Sequence, residues 1–263
     1  MSEIISIHSF RGGTGKSNVT SNLATLIARS GKRVGVVDTD IQSPGIHILF
    51  GLEEEQIRYT LNDYLWGRCA IEEAVYDLTP MLKQKQTFFG KQGSLYLIPS
   101  SIKMSDISRI LREGYDARLL NDGLHNLVRR LKLDYLLIDT HPGINEETLL
   151  SIILSDVFIL ILRPDKQDYQ GTAVAVDVAR KLEVPKMMLI VNKALPSLNF
   201  KELRQRVQNT YEVPVAGILP VSEEMFDLGS SGIFSLQYPD HPWTQEVNTI
   251  VKQITGSSSK LFV

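Results

Sequence analysis

The chain has 263 residues, a formal charge of −2 and 43% hydrophobic residues, enough to bury a substantial core in one large α/β domain or two small ones. So even a charge balance excludes binding polyanions by bulk charge and leaves only a local basic patch for DNA or acidic lipid. The single cysteine, Cys69, excludes an intrachain disulfide and any multi-cysteine metal site within one chain, and a reducing, cytoplasmic setting is expected.

The start, Met1-Ser2-Glu3, has neither a basic region nor a long apolar core. The longest apolar stretch, Val157 to Leu162, is far short of the roughly 20 residues that span a bilayer. A soluble, unexported protein is expected. Short aliphatic runs recur instead, with helical patterns between them, and this alternation predicts a parallel sheet sandwiched by helices.

The first run, Ile4 to Ile7, leads into Arg11-Gly-Gly-Thr-Gly-Lys16-Ser17. Glycines at this spacing let successive backbone N–H groups turn toward one anion, a lysine reaches the outer phosphates and a hydroxyl binds Mg²⁺. Gly12, Gly13, Thr14, Gly15, Lys16, Ser17 and Asn18 are therefore expected to hold nucleotide phosphates. Phe10 stands where the general phosphate loop has its first glycine. A helix should start at about Ser17 and run through Leu23 and Ile27 to Ser30, with Gly31 as its C-cap, so that its N-terminus faces the phosphates.

The second run, Arg33 to Val37, ends in Asp38-Thr39-Asp40. In an extended strand end the two carboxylates point the same way. The following Gln42-Ser43-Pro44-Gly45 equally suits a polar turn. Lys83 to Gly93 reads as a surface loop before the run Leu95 to Ile98. The run Tyr135 to Ile138 ends in Asp139-Thr140-His141-Pro142-Gly143, where Asp139 suits a carboxylate holding Mg²⁺ directly or through water, and Gly143 an N–H for the γ-phosphate. Taken alone, such an aspartate also suits the cap of a following helix. His141 suits a ligand or base, but with no companion His or Cys nearby it reads rather as a backbone-bonded turn histidine.

After the run Val157 to Leu162 comes Arg163-Pro164-Asp165-Lys166. The run Met187 to Val191 ends in Asn192-Lys193, and Val215 to Leu219 ends in Pro220. Asn192, Lys193 and Pro220 are placed to line an adenine pocket, the amide of Asn192 pairing with the base edge, although an asparagine in a tight turn accounts for it too. Basic clusters at Arg129, Arg130 and Lys132, at Arg180 and Lys181, and at Lys201, Arg204 and Arg206 are candidates for DNA contact or ordinary solvated helix faces. No internal repeat is present, so one domain over residues 1–263 is the simplest reading, with a short flexible tail from about 256.

The compact loop resembles the deviant Walker A box, K-G-G-x-G-K-[ST], of the ParA/MinD ATPases, with Arg11 in place of the first lysine. The order of phosphate loop, D-x-D strand, D-x-x-P-G strand, Asn-ending strand and I-L-P loop is similar to that family from about Ile4 to Ile254. The resemblance implies ATP and Mg²⁺ as cofactors, a P-loop sheet sandwiched by helices, and slow, partner-stimulated hydrolysis. It further implies a water-positioning role for Asp40, a Mg²⁺-shell role for Asp38, and a homodimer formed around two ATP molecules.

In that family the first lysine crosses to the partner's phosphates. Arg11 keeps the charge with a planar, forked shape, and Lys166 is the alternative cation should Arg11 turn outward, its other reading being a solvated loop lysine. The family positions large cargoes with the help of an adaptor or activating protein, often on non-specific DNA. A carboxysome-positioning branch, McdA, is similar in lacking that lysine. The tail Gly256-Ser-Ser-Ser-Lys-Leu-Phe-Val263 is too short for the basic amphipathic membrane helix of MinD-like members, so stable membrane anchoring is not expected. Iron-sulfur carriers of this fold need paired cysteines. Two functions follow: an ATPase switch that positions cargo, or a nucleotide-binding adaptor with little hydrolysis that signals by dimer state.

Overall fold

The computed structural model describes residues 2–83 and 93–256. Most of the loop expected from Lys83 to Gly93, and the tail beyond Gly256, lie outside the described residues. The elements in chain order are β1 (Glu3–His8), α1 (Lys16–Arg29), β2 (Arg33–Asp38), α2 (Ile46–Leu49), α3 (Leu61–Leu65), β3 (Tyr76–Asp77), β4 (Ser94–Ile98), α4 (Met104–Glu113), α5 (Ala117–Arg130), β5 (Tyr135–Asp139), α6 (Glu146–Ile153), β6 (Val157–Leu162), α7 (Lys166–Lys181), β7 (Lys186–Ala194), α8 (Phe200–Tyr211), β8 (Val215–Pro220), α9 (Glu223–Leu228), α10 (Phe234–Gln237) and α11 (Pro242–Thr255).

Eight strands form one sheet in the order β3-β4-β2-β5-β1-β6-β7-β8. All seven aliphatic runs are strands of its parallel part. The eighth strand, β3, pairs antiparallel with β4 at the edge. Two residues are too few to carry a period, so composition does not announce it.

Strand alternation decides which side chains meet which helices. Ile5, Ile7, Val34, Val36, Leu95 and Leu137 turn to the face covered by α1, α10 and α11, where Leu23, Phe234 and Trp243 meet them. On the opposite face Ile4, Val37, Leu136 and Ile138 pack on α3, α4 and α5, while Phe158, Leu160 and Leu189 pack on α7 and α8. Covering both faces is what the continuous apolar runs require.

Parallel pairing brings the C-terminal ends of β1, β2 and β5 to one edge. In the register, Asp139 lies opposite both Ile7 of β1 and Asp38 of β2. The strand order reverses around β1, where ligands of open α/β sheets gather. Helix α1 runs from Lys16 to Arg29, one residue earlier at each end than expected; its C-cap is Ser30, and Gly31, expected as the cap, follows at φ 92°.

Candidate nucleotide-binding site

The loop between β1 and α1 presents Gly12 and Gly13 to solvent while Thr14 and Lys16 are buried. Gly15, at φ 90°, is the N-cap of α1; no side chain caps that end and its first turn holds no acidic residue. The first-turn N–H groups and the positive end of the helix dipole are thus kept for an outside anion. Ser17 and Asn18 follow in the same turn.

Lys16 sits among the acids. Its Nζ donates to Oδ1 of Asp139 at 2.9 Å and lies 3.8 Å from Oδ2 of Asp40. Thr20, one turn on, places its hydroxyl 3.1 Å from the same Asp139 oxygen, a contact that no motif marks. Asp38 is fully buried, and burial and the neighbouring Asp139 push its carboxyl well above the usual range against the pull of Lys16. Burial raises Asp40 as well, while Lys16 and His141 pull it down.

The extended strand end expected to bring Asp38 and Asp40 together stops at Asp38, and a polar turn, the alternative, carries Asp40. Strand β2 stops at Asp38, whose carboxylate accepts the N–H groups of Asp40 at 3.0 Å and Gly45 at 3.3 Å. Asp40 in turn accepts from Ser43 N–H at 3.2 Å. Side-chain acceptance of nearby N–H groups outcompetes extended geometry here, so the polar turn and the shared site are one arrangement.

Three expected ligands are engaged elsewhere. The N–H of Gly143 donates to the Ser9 carbonyl at 3.1 Å, so serving a γ-phosphate requires that bond to open. The amide Nδ2 of Asn192 donates to the Thr14 carbonyl at 2.7 Å, so its donor steadies the loop rather than reading a base edge. Lys193, at φ 55°, donates from Nζ to the Gly13 carbonyl at 2.9 Å. Asn192 and Lys193 still help to enclose a cavity of about 230 Å³ lined also by Gly15, Asn18, Pro220, Phe226 and Trp243. Phe226, 68% exposed on α9, adds an aromatic face that sequence reasoning missed.

Helix α7 grips the loop twice. Phe10, the residue in the place of a glycine, packs against Gly171, where an added Cβ would overlap the ring. The guanidinium of Arg11 donates to the side chain of Gln167, four residues earlier and on the same helix face. Lys166 occupies the first position of α7 behind its cap Asp165, so both candidate cations converge on one helix end.

His8 closes the floor. It stacks on Phe158 with ring centroids 5.8 Å apart, and its Nδ1 is 2.7 Å from the hydroxyl of Thr140, which bonds the Ile7 carbonyl at 3.0 Å. Burial, with Lys16 and His141 nearby, lowers its pKa to about 3. Among the described residues no three His, Cys, Asp or Glu side chains form a metal cage. The buried, mutually repelling carboxyls of Asp38 and Asp139 are suited to a cation.

The ParA family model, described as a NUBPL iron-transfer P-loop NTPase, matches residues 1–255. The chain belongs to the ParA family of P-loop NTPases. An uncharacterized ATP-binding protein of Methanocaldococcus jannaschii is 29% identical over 98% of this chain and 89% of its own length. The septum site-determining protein MinD of Bacillus subtilis is 27% identical over 100% of this chain and 92% of its own. In fold, this ParA-family chain is similar to Pyrococcus horikoshii MinD complexed with Mg-ADP, with a TM-score of 0.79 at 22% identity, covering 99% of this chain and 100% of that one.

Of the basic clusters, three arginines already face acids: Arg130 pairs with Glu72 at 3.4 Å, Arg180 with Glu212 at 3.8 Å and Arg204 with Glu246 at 3.3 Å. Among the described residues no helix is long and apolar enough to cross a membrane.

Proposed function

We propose that this ParA-family chain is a Mg²⁺-dependent ATPase that dimerises on ATP and, by hydrolysis, resets a dimer that positions a large cellular cargo. The observation that carries the reading is the setting of Lys16, held at the uncapped start of α1 within 2.9 Å of Asp139 and 3.8 Å of Asp40. The loop N–H groups of Gly12 to Ser17 cradle the phosphates, and Lys16 turns from the acids to their charge. Mg²⁺ would be held by Ser17 with Asp38 and Asp139 in its shell, and it supplies neutralisation of the phosphate charge. Asp40 positions water for in-line attack. The base enters the cavity beside Pro220 and Phe226, fixed by stacking and by the remaining acceptor of Asn192.

Dimerisation supplies a second cation. Arg11 leaves Gln167 to reach the partner's phosphates, with Lys166 beside it on the same helix end. The cargo's matrix is nucleoid DNA, bound through exposed basic side chains; an ATP-dependent, salt-sensitive shift of generic duplex DNA tests that part. An activating protein speeds the cycle. The one cysteine of the chain argues against iron-sulfur transfer, which needs paired thiolates.

A second reading, an adaptor that binds ATP and hardly hydrolyses it, is favoured by one observation: Arg11 bonds its own chain at Gln167. Steady-state ATP turnover with and without duplex DNA, beside Asp40→Ala, separates the two. The ATPase reading expects turnover that falls on the order of 10²- to 10⁴-fold in the variant with ATP binding retained. Equal, background-level phosphate release from both proteins supports the adaptor.

A further inference from the structure

His141 lies in the segment joining β5 to α6. Its Nδ1 is 2.6 Å from the Pro142 carbonyl oxygen, and a carbonyl only accepts, so Nδ1 carries the proton. In the neutral ring Nε2 is then a lone pair, and it lies 3.9 Å from Oδ1 of Asp40. The other oxygen of Asp40, Oδ2, faces Lys16 at 3.8 Å. Asp40 thus offers one oxygen to the loop lysine and the other to His141, with Ser43 N–H fixing the latter from 3.2 Å.

Two acceptors at 3.9 Å are too far apart to bond and have no hydrogen between them. Their side chains are only 21% and 11% exposed. Two hydrogen bonds of about 2.8 Å to atoms at this separation meet at about 90° at a common oxygen, close to the angle between the O–H bonds of water. Glu147 stands beyond His141; its own carboxyl is raised by burial and by Asp40 and drawn down by His141.

We infer that His141 is a positioning residue which, with Asp40, seats the attacking water: one water O–H donates a hydrogen bond to Nε2 of His141, the other to Oδ1 of Asp40, and an oxygen lone pair is left free. The inference rests on the ATPase reading above. In the reaction the water oxygen bonds to the γ-phosphorus as the bond from phosphorus to the bridging oxygen breaks. The electron pair of that bond leaves with ADP, the water proton facing Asp40 passes through its carboxylate to solvent, and the one facing His141 stays on the phosphate product. His141 holds the angle of attack, a service the backbone-bonded ring provides only because Pro142 fixes its orientation.

The test uses the full chain with Mg²⁺ and radiolabelled ATP under steady-state and single-turnover conditions, and binding of a fluorescent ATP analogue. The proteins are the wild type, His141→Ala, His141→Gln, Asp40→Ala and the His141→Ala/Asp40→Ala double variant. Expected are a loss of kcat on the order of 10²-fold in His141→Ala with analogue affinity unchanged, and partial rescue in His141→Gln, whose side-chain oxygen is an acceptor. The double variant should be no slower than Asp40→Ala. Wild-type turnover with His141→Ala within twofold of it overturns the inference alone, as does a loss that adds fully to that of Asp40→Ala. If His141→Ala does not fold, His141→Gln decides, a kcat at the Asp40→Ala level overturning the inference and an intermediate kcat supporting it. No wild-type turnover under any condition overturns the inference together with the ATPase reading.

Discussion

His8 makes stability depend on pH in a way that can be isolated. In the folded chain the ring is buried between Phe158 and Thr140, and burial with Lys16 and His141 holds its pKa at about 3, against 6.5 when exposed. Below pH 6.5 the unfolded chain therefore takes up a proton that the folded chain refuses. Stability is fully present above 6.5 and is lost as pH falls toward 3. Linkage puts the loss at about 2 kcal/mol at pH 5 and about 3 kcal/mol at pH 4 relative to pH 8. Asp38 and Asp40, raised by burial, act with the opposite sign, so the wild-type curve alone mixes the effects. Replacing His8 with Leu removes only the histidine's share, leaving a pH-independent packing offset. Urea denaturation of both proteins from pH 5 to pH 8, followed by tryptophan fluorescence, should show the variant gaining about 2 kcal/mol on the wild type across that range. A difference that stays constant within about 0.5 kcal/mol would refute the account of His8 as a buried neutral base.

Two glycines give sharper steric tests. At Gly15, φ 90° and a would-be Cβ only 2.5 Å from Asn192 Nδ2 mean that Gly15→Ala strains the backbone and breaks the Asn192 clamp, costing about 1–3 kcal/mol and lowering the affinity for a fluorescent ATP analogue at least about tenfold; unchanged affinity would show that the clamp is dispensable. Gly171→Leu drives Phe10 out of its seat on α7, an overpacking expected to cost about 1–3 kcal/mol. Thermal unfolding should register that cost, and analogue titration a weaker site, whereas a loop still binding at wild-type strength would dissociate α7 from phosphate binding.

The strands were legible because seven buried parallel segments need seven continuous apolar runs, and the loop because glycine, lysine and serine at that spacing serve one purpose. Pairing was not legible. That Asp139 lies opposite Asp38 depends on a register between segments a hundred residues apart, which no local period contains. The direction of a side chain was equally hidden: Asn192 stands at the expected strand end, yet its donor turns back to Thr14. For Gly143 an N–H free for a phosphate was expected, but at φ 87° that N–H is taken by the Ser9 carbonyl, a closeness no local pattern contains. Phe10 looked like a departure from a motif and is an anchor, because the space it fills is emptied by Gly171 on another element.

That last pairing limits which substitutions the loop tolerates. Positions 10 and 171 share one volume, so a lineage cannot enlarge the second without first shrinking the first, and the glycine normally found at the head of a phosphate loop would leave a hole here that only a larger residue on α7 fills. The two positions are sterically a single unit, in which a change at one dictates what fits at the other, although 160 residues of chain separate them.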